Sequence, residues 1–339
     1  MRLPDLDVNP DPLYRMCFAA IRSKLLVAAI KLKVFDQLSV PKTAKQVAEA
    51  IQGNTENTML LLNGLTACEL VDKKNGLYCN RPVARTFLVE DSPASLGEGL
   101  LQQAVKTEKM LSNLPEMVLS GSPGTLDNEA ADSEAQWAQN AVWMANHERS
   151  GVAQQMACLV ADLPEFPAFR KMLDLGGGPG IFGIAMVDRH PSMQGVVFDR
   201  RPVVDVAQRF IREYGLEDRM TVLAGDYNTD SIGDGYDLIW ASSTLNFAQH
   251  NLDPVMEKIH AALNPGGVFV NLSEGLTDEG TKPDFFVLCT MGWAMSNSLR
   301  AFDQGEIAEA MRSAGFSHVR SRTLQTGWGQ MDLDIARKA

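Results

Sequence analysis

The sequence predicts an α/β protein in which a doubly wound, mostly parallel sheet follows an N-terminal helical region. Three observations predict it. The chain has 339 residues, too many for one small core and enough for two domains. After Leu163-Pro164 the composition shifts and short apolar strands alternate with helices, the pattern of a parallel sheet covered on both faces. The first of those strands runs into a glycine-rich turn that opens a helix.

In the N-terminal region, Leu13, Met16, Cys17 and Ala20 recur at helical spacing and predict a helix over 13–38. Thr43 and Gln46 form a capping-box pattern for a short helix ending near Ile51. Thr55 is placed as the cap of a third helix through Leu65. Asn75-Gly76, between Leu70-Val71 and Leu77-Tyr78, is a hairpin signal, because the favoured turn needs two residues that tolerate positive φ. Helix, helix, helix, hairpin is the order of a winged helix. DNA binding is disfavoured: residues 55–69 contain Glu56 and Glu69 but no Lys or Arg, so a recognition helix would meet phosphate without a cation. Packing or dimerisation is the expected role. Residues 96–165 read as further helix, interrupted by a loop over Ser120–Thr125.

In the C-terminal part, strands are expected at Met172–Leu175, Val196–Phe198, Met220–Leu223, Asp237–Trp240 and Val268–Leu272. A helix through Leu263, a turn over Asn264–Gly267, a helix over Asp303–Ala314 and two late strands complete the reading. The expected division is 1–95, 96–165 and 166–339.

Composition narrows the function. Hydrophobic residues are 45% and charged residues 22%, an ordinary globular balance. The net charge of −11 argues against a nucleic-acid partner and fits a small-molecule ligand. Cys17, Cys68, Cys79, Cys158 and Cys289 are scattered, which disfavours a disulfide framework or a zinc site. The N-terminal stretch has no apolar signal-peptide core, and no uncharged run reaches the ~18 residues a membrane span needs. A cytoplasmic protein without membrane association is expected.

The strongest local signal is Leu173-Asp174-Leu175-Gly176-Gly177-Gly178-Pro179-Gly180. Glycines at a strand-to-helix turn let a ligand approach the backbone, but NAD, FAD and S-adenosylmethionine sites all use them. The dinucleotide pattern requires glycine where this chain has Ile181. Asp174 would repel a pyrophosphate and attract a cation such as an ammonium or a sulfonium. Asp199, ending the second strand, is placed to accept both ribose hydroxyls, with Arg200 beside it. Gly225-Asp226-Tyr227 ends the third strand, where an acid accepts from an adenine amino group and Tyr227 offers a stacking surface. Ser242, after the fourth strand, is counted with the same site. The Asp199 role is common to NAD and S-adenosylmethionine sites, so Ile181 and Asp174 are what favour S-adenosylmethionine, while three carboxylates at three successive strand ends after one glycine turn mark a ligand site.

With these residues in view, the chain resembles the class I small-molecule O-methyltransferases of plant-caffeate and bacterial type. Leu173–Gly180 is similar to that family's first cofactor motif, Asn264–Gly267 to its late turn, and Ser313–Phe316 to the stretch before its terminal strands. The likeness covers nearly the whole chain. It implies a Rossmann-like methyltransferase domain, an N-terminal all-helical winged-helix dimerisation domain, and a homodimer whose N-terminal region helps close the partner's substrate pocket. Met144-Ala145-Asn146-His147 matches the family's Met-x-x-His helix. By resemblance Met144 and the neighbouring Trp143 line the substrate pocket, and His147 sits near cofactor or substrate. Phe286, Met291 and Met295, before the last helix, are expected to line the same pocket and suit a flat, apolar acceptor.

The family's catalytic histidine is replaced. Aligning Ser243–Phe247 onto the family segment puts Asn246 at that position, and an amide has no useful basicity. Glu274 falls near the first of the two glutamates that orient the histidine, and Ala301 stands near the second. Four explanations remain: His250 shares a helix face with Asn246 and replaces the base; His147 acts from the other side; the acceptor is already nucleophilic, a thiolate or an activated carbon, and needs only positioning; or the chain binds cofactor without this chemistry, as a ligand-sensing regulator would. A substrate needing little deprotonation is favoured narrowly over a replacement histidine.

Overall fold

The computed structural model describes residues 7–121, 134–248, 250–295 and 299–339. It comprises two compact units, Met1–Glu108 and Lys109–Ala339.

In the first unit, α1 (Asp11–Lys31) ends before the predicted helix does. Lys33 takes a left-handed conformation at φ 53°, and the chain restarts as α2 (Val34–Gln37), turning Val34 and Phe35 into the core. β1 (Lys42–Thr43) leads into α3 (Ala44–Ala50), which carries the expected capping box: Gln46 N donates to Thr43 Oγ1 at 3.3 Å, and Thr43 N donates to Gln46 Oε1 at 2.8 Å. α4 (Thr55–Ala67) is capped by Asn54 rather than Thr55. The Asn54 side-chain oxygen accepts from Asn57 N at 2.9 Å, and Thr55 is already helical. β2 (Val71–Lys74) and β3 (Leu77–Asn80) form the hairpin, with Asn75 and Gly76 at φ 52° and 79°. β1, β3 and β2 form a small sheet in that order, and α5 (Pro82–Phe87) and α6 (Gly97–Met110) follow. Ala29, Phe35, Leu38, Leu62, Leu65, Val71 and Tyr78 share one core. Leu13, Tyr14, Met16, Phe18 and Ile21 on α1 are each more than half exposed.

In the second unit, α7 (Leu114–Ser120) ends at Gly121, at φ 63°; the rest of the loop predicted there lies outside the described residues. α8 (Glu134–His147), a π-helical turn (Glu148–Val152) and α9 (Ala153–Ala161) precede the sheet. β4 (Lys171–Leu175), β5 (Gln194–Asp199), β6 (Met220–Ala224), β7 (Tyr236–Ser242) and β8 (Leu263–Ser273) are parallel. β9 (Ser317–Thr326) and β10 (Gly329–Arg337) form an antiparallel hairpin that joins through β10 to β8. The order is β6-β5-β4-β7-β8-β10-β9. The predicted turn over Asn264–Gly267 is absorbed into β8. Gly266 takes φ 76° and the register against β7 shifts between Tyr236 and Leu238, so the chain bulges instead of leaving the sheet.

The connecting helices are α10 (Ile181–Arg189), α11 (Arg201–Glu213), α12 (Leu252–Ala262), α13 (Asp284–Met295) and α14 (Glu306–Ser313). Alternate strand residues serve opposite faces. Leu238, Trp240, Val268 and Val270 pack with α9, α10 and α11, while Ile239, Ala241 and Phe269 pack with α12 and α14. On α11, Val203, Val204, Ala207, Phe210 and Ile211 form the buried stripe. The strand order reverses between β4 and β7, and a crevice for a ligand opens at the carboxyl ends beside such a switch point. β6 and β9 are the open edges, and β9 carries the exposed Arg320 and Arg322. No helix among the described residues is long and apolar enough to cross a membrane.

Candidate active site

Beyond β4 the chain turns through Gly176, Gly178 and Gly180, at φ 59°, 54° and 77°. There is no room for a side chain at Gly176, where a Cβ would lie 2.0 Å from Thr244 Oγ1. Asp174 lies beneath it, fully buried. Its Oδ2 accepts from Gly183 N at 2.9 Å, and a Cβ at Gly177 would lie 2.6 Å from its carboxyl carbon. Burial pushes the Asp174 carboxyl up to about 7, against the pull of that hydrogen bond. Asp174 therefore supports the turn from below and is not among the residues that line the cavity in front of it.

Asp199 ties the turn to β5. Its Oδ2 accepts from Gly178 N at 2.8 Å and its Oδ1 from Arg200 N at 2.7 Å. Burial raises its pKa while these hydrogen bonds oppose the rise. Gly225 N donates to the Asp199 carbonyl at 3.0 Å and so joins the ends of β5 and β6. Asp226 Oδ1 accepts from Asn228 N at 2.9 Å, and Arg200 Nη2 stands 4.0 Å from Asp226 Oδ2. Tyr227 is buried and donates its hydroxyl to the Thr244 carbonyl at 2.5 Å; burial raises its pKa.

These groups enclose a cavity of about 220 Å³. Gly176, Gly178, Asp199, Arg200, Gly225, Asp226, Tyr227, Ser242 and Met144, all predicted from sequence, line it together. Sequence reasoning missed Trp137, Ala141, Thr244 and Phe247 on the same wall. Trp137 and Ala141 precede Met144 by seven and three residues on α8, so helical spacing from Met144 was the signal that finds them. Trp137 and Phe247 meet edge to face at 5.4 Å. A larger groove of about 460 Å³, lined by Leu163, Arg320, Arg322 and Arg337, lies away from the strand ends.

The other predicted residues lie outside this cavity lining. Asn246 is buried on a 3-10 turn (Leu245–Ala248). Its Nδ2 donates to Glu274 Oε1 and, at 2.8 Å, to the Arg300 carbonyl. Glu274 is buried too, and burial raises its pKa against the Asn246 hydrogen bond. The 3-10 turn ends at Ala248, leaving His250 exposed in the loop that follows, so the helix face predicted to join it to Asn246 does not form. His147 ends α8 half-buried between Trp143 and Trp328, at ring distances of 5.0 and 5.9 Å, and burial lowers its pKa. Phe286 is packed in the core with Leu272 and Met331, whereas Met291 is half-buried and Met295 exposed on α13.

The lining fits an adenosyl ligand. The Ser242 hydroxyl is buried without a partner among the described residues, the backbone is bare at Gly176 and Gly178, and Asp199 and Asp226 offer acceptors at neighbouring strand ends.

Residues 126–317 match the O-methyltransferase domain family and residues 14–90 the O-methyltransferase dimerisation domain family. Acetylserotonin O-methyltransferase of Bos taurus is 27% identical, covering 93% of this chain and 94% of its own length. N,N-dimethyltransferase OxyT of Streptomyces rimosus is 27% identical over 79% of each chain. L-tyrosine C(3)-methyltransferase of Streptomyces lavendulae is 25% identical, covering 95% and 91%. Human N-acetylserotonin methyltransferase, solved in complex with SAM, superposes with a TM-score of 0.79 at 21% identity over 99% of this chain and all of its own. Because the domain match extends over more than half of the sequence, the chain belongs to the O-methyltransferase family, and it is a methyltransferase that uses S-adenosylmethionine.

Proposed function

We propose that the enzyme methylates a small, flat aromatic or polycyclic acceptor that it positions without a histidine base. The carrying observation is the setting of Asn246. Its amide nitrogen faces two acceptors, Glu274 and the Arg300 carbonyl, which engage both N–H groups and leave Oδ1 to receive a donor from the acceptor. Bound S-adenosylmethionine supplies an electrophilic methyl whose leaving group is a neutral thioether. What remains for the chain is alignment and exclusion of water, and the Trp137–Phe247 pair gives an apolar wall for a flat ring. The named relatives include an O-, an N,N- and a C-methyltransferase, which supports a scaffold on which the acceptor atom changes.

The test is transfer of labelled methyl to a panel of phenols, aryl thiols and electron-rich aromatic carbons. Asn246→Ala is expected to retain turnover, with kcat/KM lower by about tenfold, the loss of roughly one hydrogen bond. A second reading makes His147 the base, favoured by the burial that disfavours its charged form and lowers its pKa. A pH–rate profile with one essential base titrating below the ordinary imidazole range, lost in His147→Ala, would decide for that reading and against ours.

We also infer a homodimer formed through the first unit. The dimerisation-family match and the exposed apolar residues of α1 support it.

A further inference from the structure

Glu148 follows His147 where α8 gives way to the π-helical turn, and no sequence motif singled it out. It is 2% exposed, and its Oε2 has no hydrogen-bond partner among the described residues. Such an oxygen needs a donor. Among the described residues no protein group supplies one. Asp174 on β4 and Asp199 on β5 act on it as like charges, and Asp174 spends its own Oδ2 on Gly183 N. Arg149, next in the chain, attracts it as an opposite charge, but its Nε donates to the Ala145 carbonyl at 3.2 Å and its guanidinium lies 4.8 Å over the Phe210 ring.

The position of Glu148 relates it to the cofactor turn. Met144, one helical turn earlier on the same face, has its Cε 3.9 Å from where a Cβ of Gly178 would stand. The end of α8 therefore lies over the glycine turn. Three carboxylates gathered there, with an unpartnered buried oxygen among them, fit a cationic ligand group that donates hydrogen bonds. An ammonium does so; a sulfonium has no N–H or O–H to give.

We propose that Glu148 accepts a hydrogen bond from the α-ammonium of the methionyl part of S-adenosylmethionine. Glu148 is thus a cofactor-binding residue that sets affinity for the amino-acid end of the ligand. The inference rests on the cofactor assignment and not on the identity of the acceptor.

The experiment is calorimetric binding by the wild type, Glu148→Gln and Glu148→Ala, with three ligands: S-adenosylmethionine, S-adenosylhomocysteine and 5′-methylthioadenosine, which has no amino-acid group. Glu148→Gln is expected to weaken the first two equally, by tenfold or more, and to leave the third unchanged. Unchanged S-adenosylhomocysteine affinity overturns the proposal, whether or not S-adenosylmethionine is weakened. An equal loss for all three ligands also overturns it, because that marks a structural role. Should both variants fail to fold, the wild type still decides. An S-adenosylhomocysteine analogue with hydrogen in place of the α-amino group is expected to bind tenfold or more weakly, and equal binding refutes the role. Failure of the wild type to bind any of these ligands overturns the cofactor assignment itself and this role with it.

Discussion

At the residue scale, the glycine turn and the acid beneath it set the properties of the site. A methyl group at Gly176 would meet the Thr244 hydroxyl at 2.0 Å, at a φ of 59° that side chains resist. Gly176→Ala is expected to destabilise the second unit by about 1–3 kcal/mol and to abolish S-adenosylhomocysteine binding, read by thermal melting and calorimetry. Asp174 makes a pH prediction. Its folded pKa of about 7 lies above its ordinary 3.8, so the folded state holds a proton that the unfolded chain releases. Stability from this group is present below about 3.8, declines as pH rises through the window up to about 7, and is level beyond it. The facing groups, Glu148 and Asp199, are also acids, whereas the cofactor is a cation that favours the ionised carboxylates. Melting scans from pH 5 to 8 should show a ligand-induced shift that grows with pH, and Asp174→Asn should flatten that growth.

At the element scale, the strands and the glycine turn were legible because the chemistry is local: apolar runs buried on both faces, and glycines where only glycine fits. The nine cavity residues predicted from the sequence sit on those strand ends or on the helical face of Met144. What was hidden depends on tertiary choices. Nothing in the spacing around Leu32-Lys33 announces a left-handed residue, yet the break lets Phe35 reach the core. A helix face shared by His250 and Asn246 needs a helix that begins before Asn246, and the chain forms a single 3-10 turn there instead. Glu148 was invisible because a charged residue after a histidine reads as surface until α8 is seen lying over the turn. The cap of α4 was misread by one residue, and it gives a clean test. Asn54→Ala should cost about 1 kcal/mol, whereas Thr55→Ala should cost much less, measured by urea unfolding.

At the scale of the whole molecule, association is the open property with a direct measurement. Phe18 and Ile21 stand exposed on α1. If this face pairs two copies, Phe18→Glu with Ile21→Glu should yield a monomer by sedimentation velocity, with the S-adenosylhomocysteine affinity of the second unit kept within about threefold. A wild type that sediments as a monomer at micromolar concentration would refute the homodimer.

The charged rim of the large sheet bears on the same matter. A bare outer strand is a template on which another copy's backbone can zip, and that growth has no natural end. The guanidinium groups of Arg320 and Arg322 repel their counterparts on any second β9 that approaches side by side. Runaway stacking through this edge is thereby opposed, and self-association that stops at a finite complex has to use a different surface.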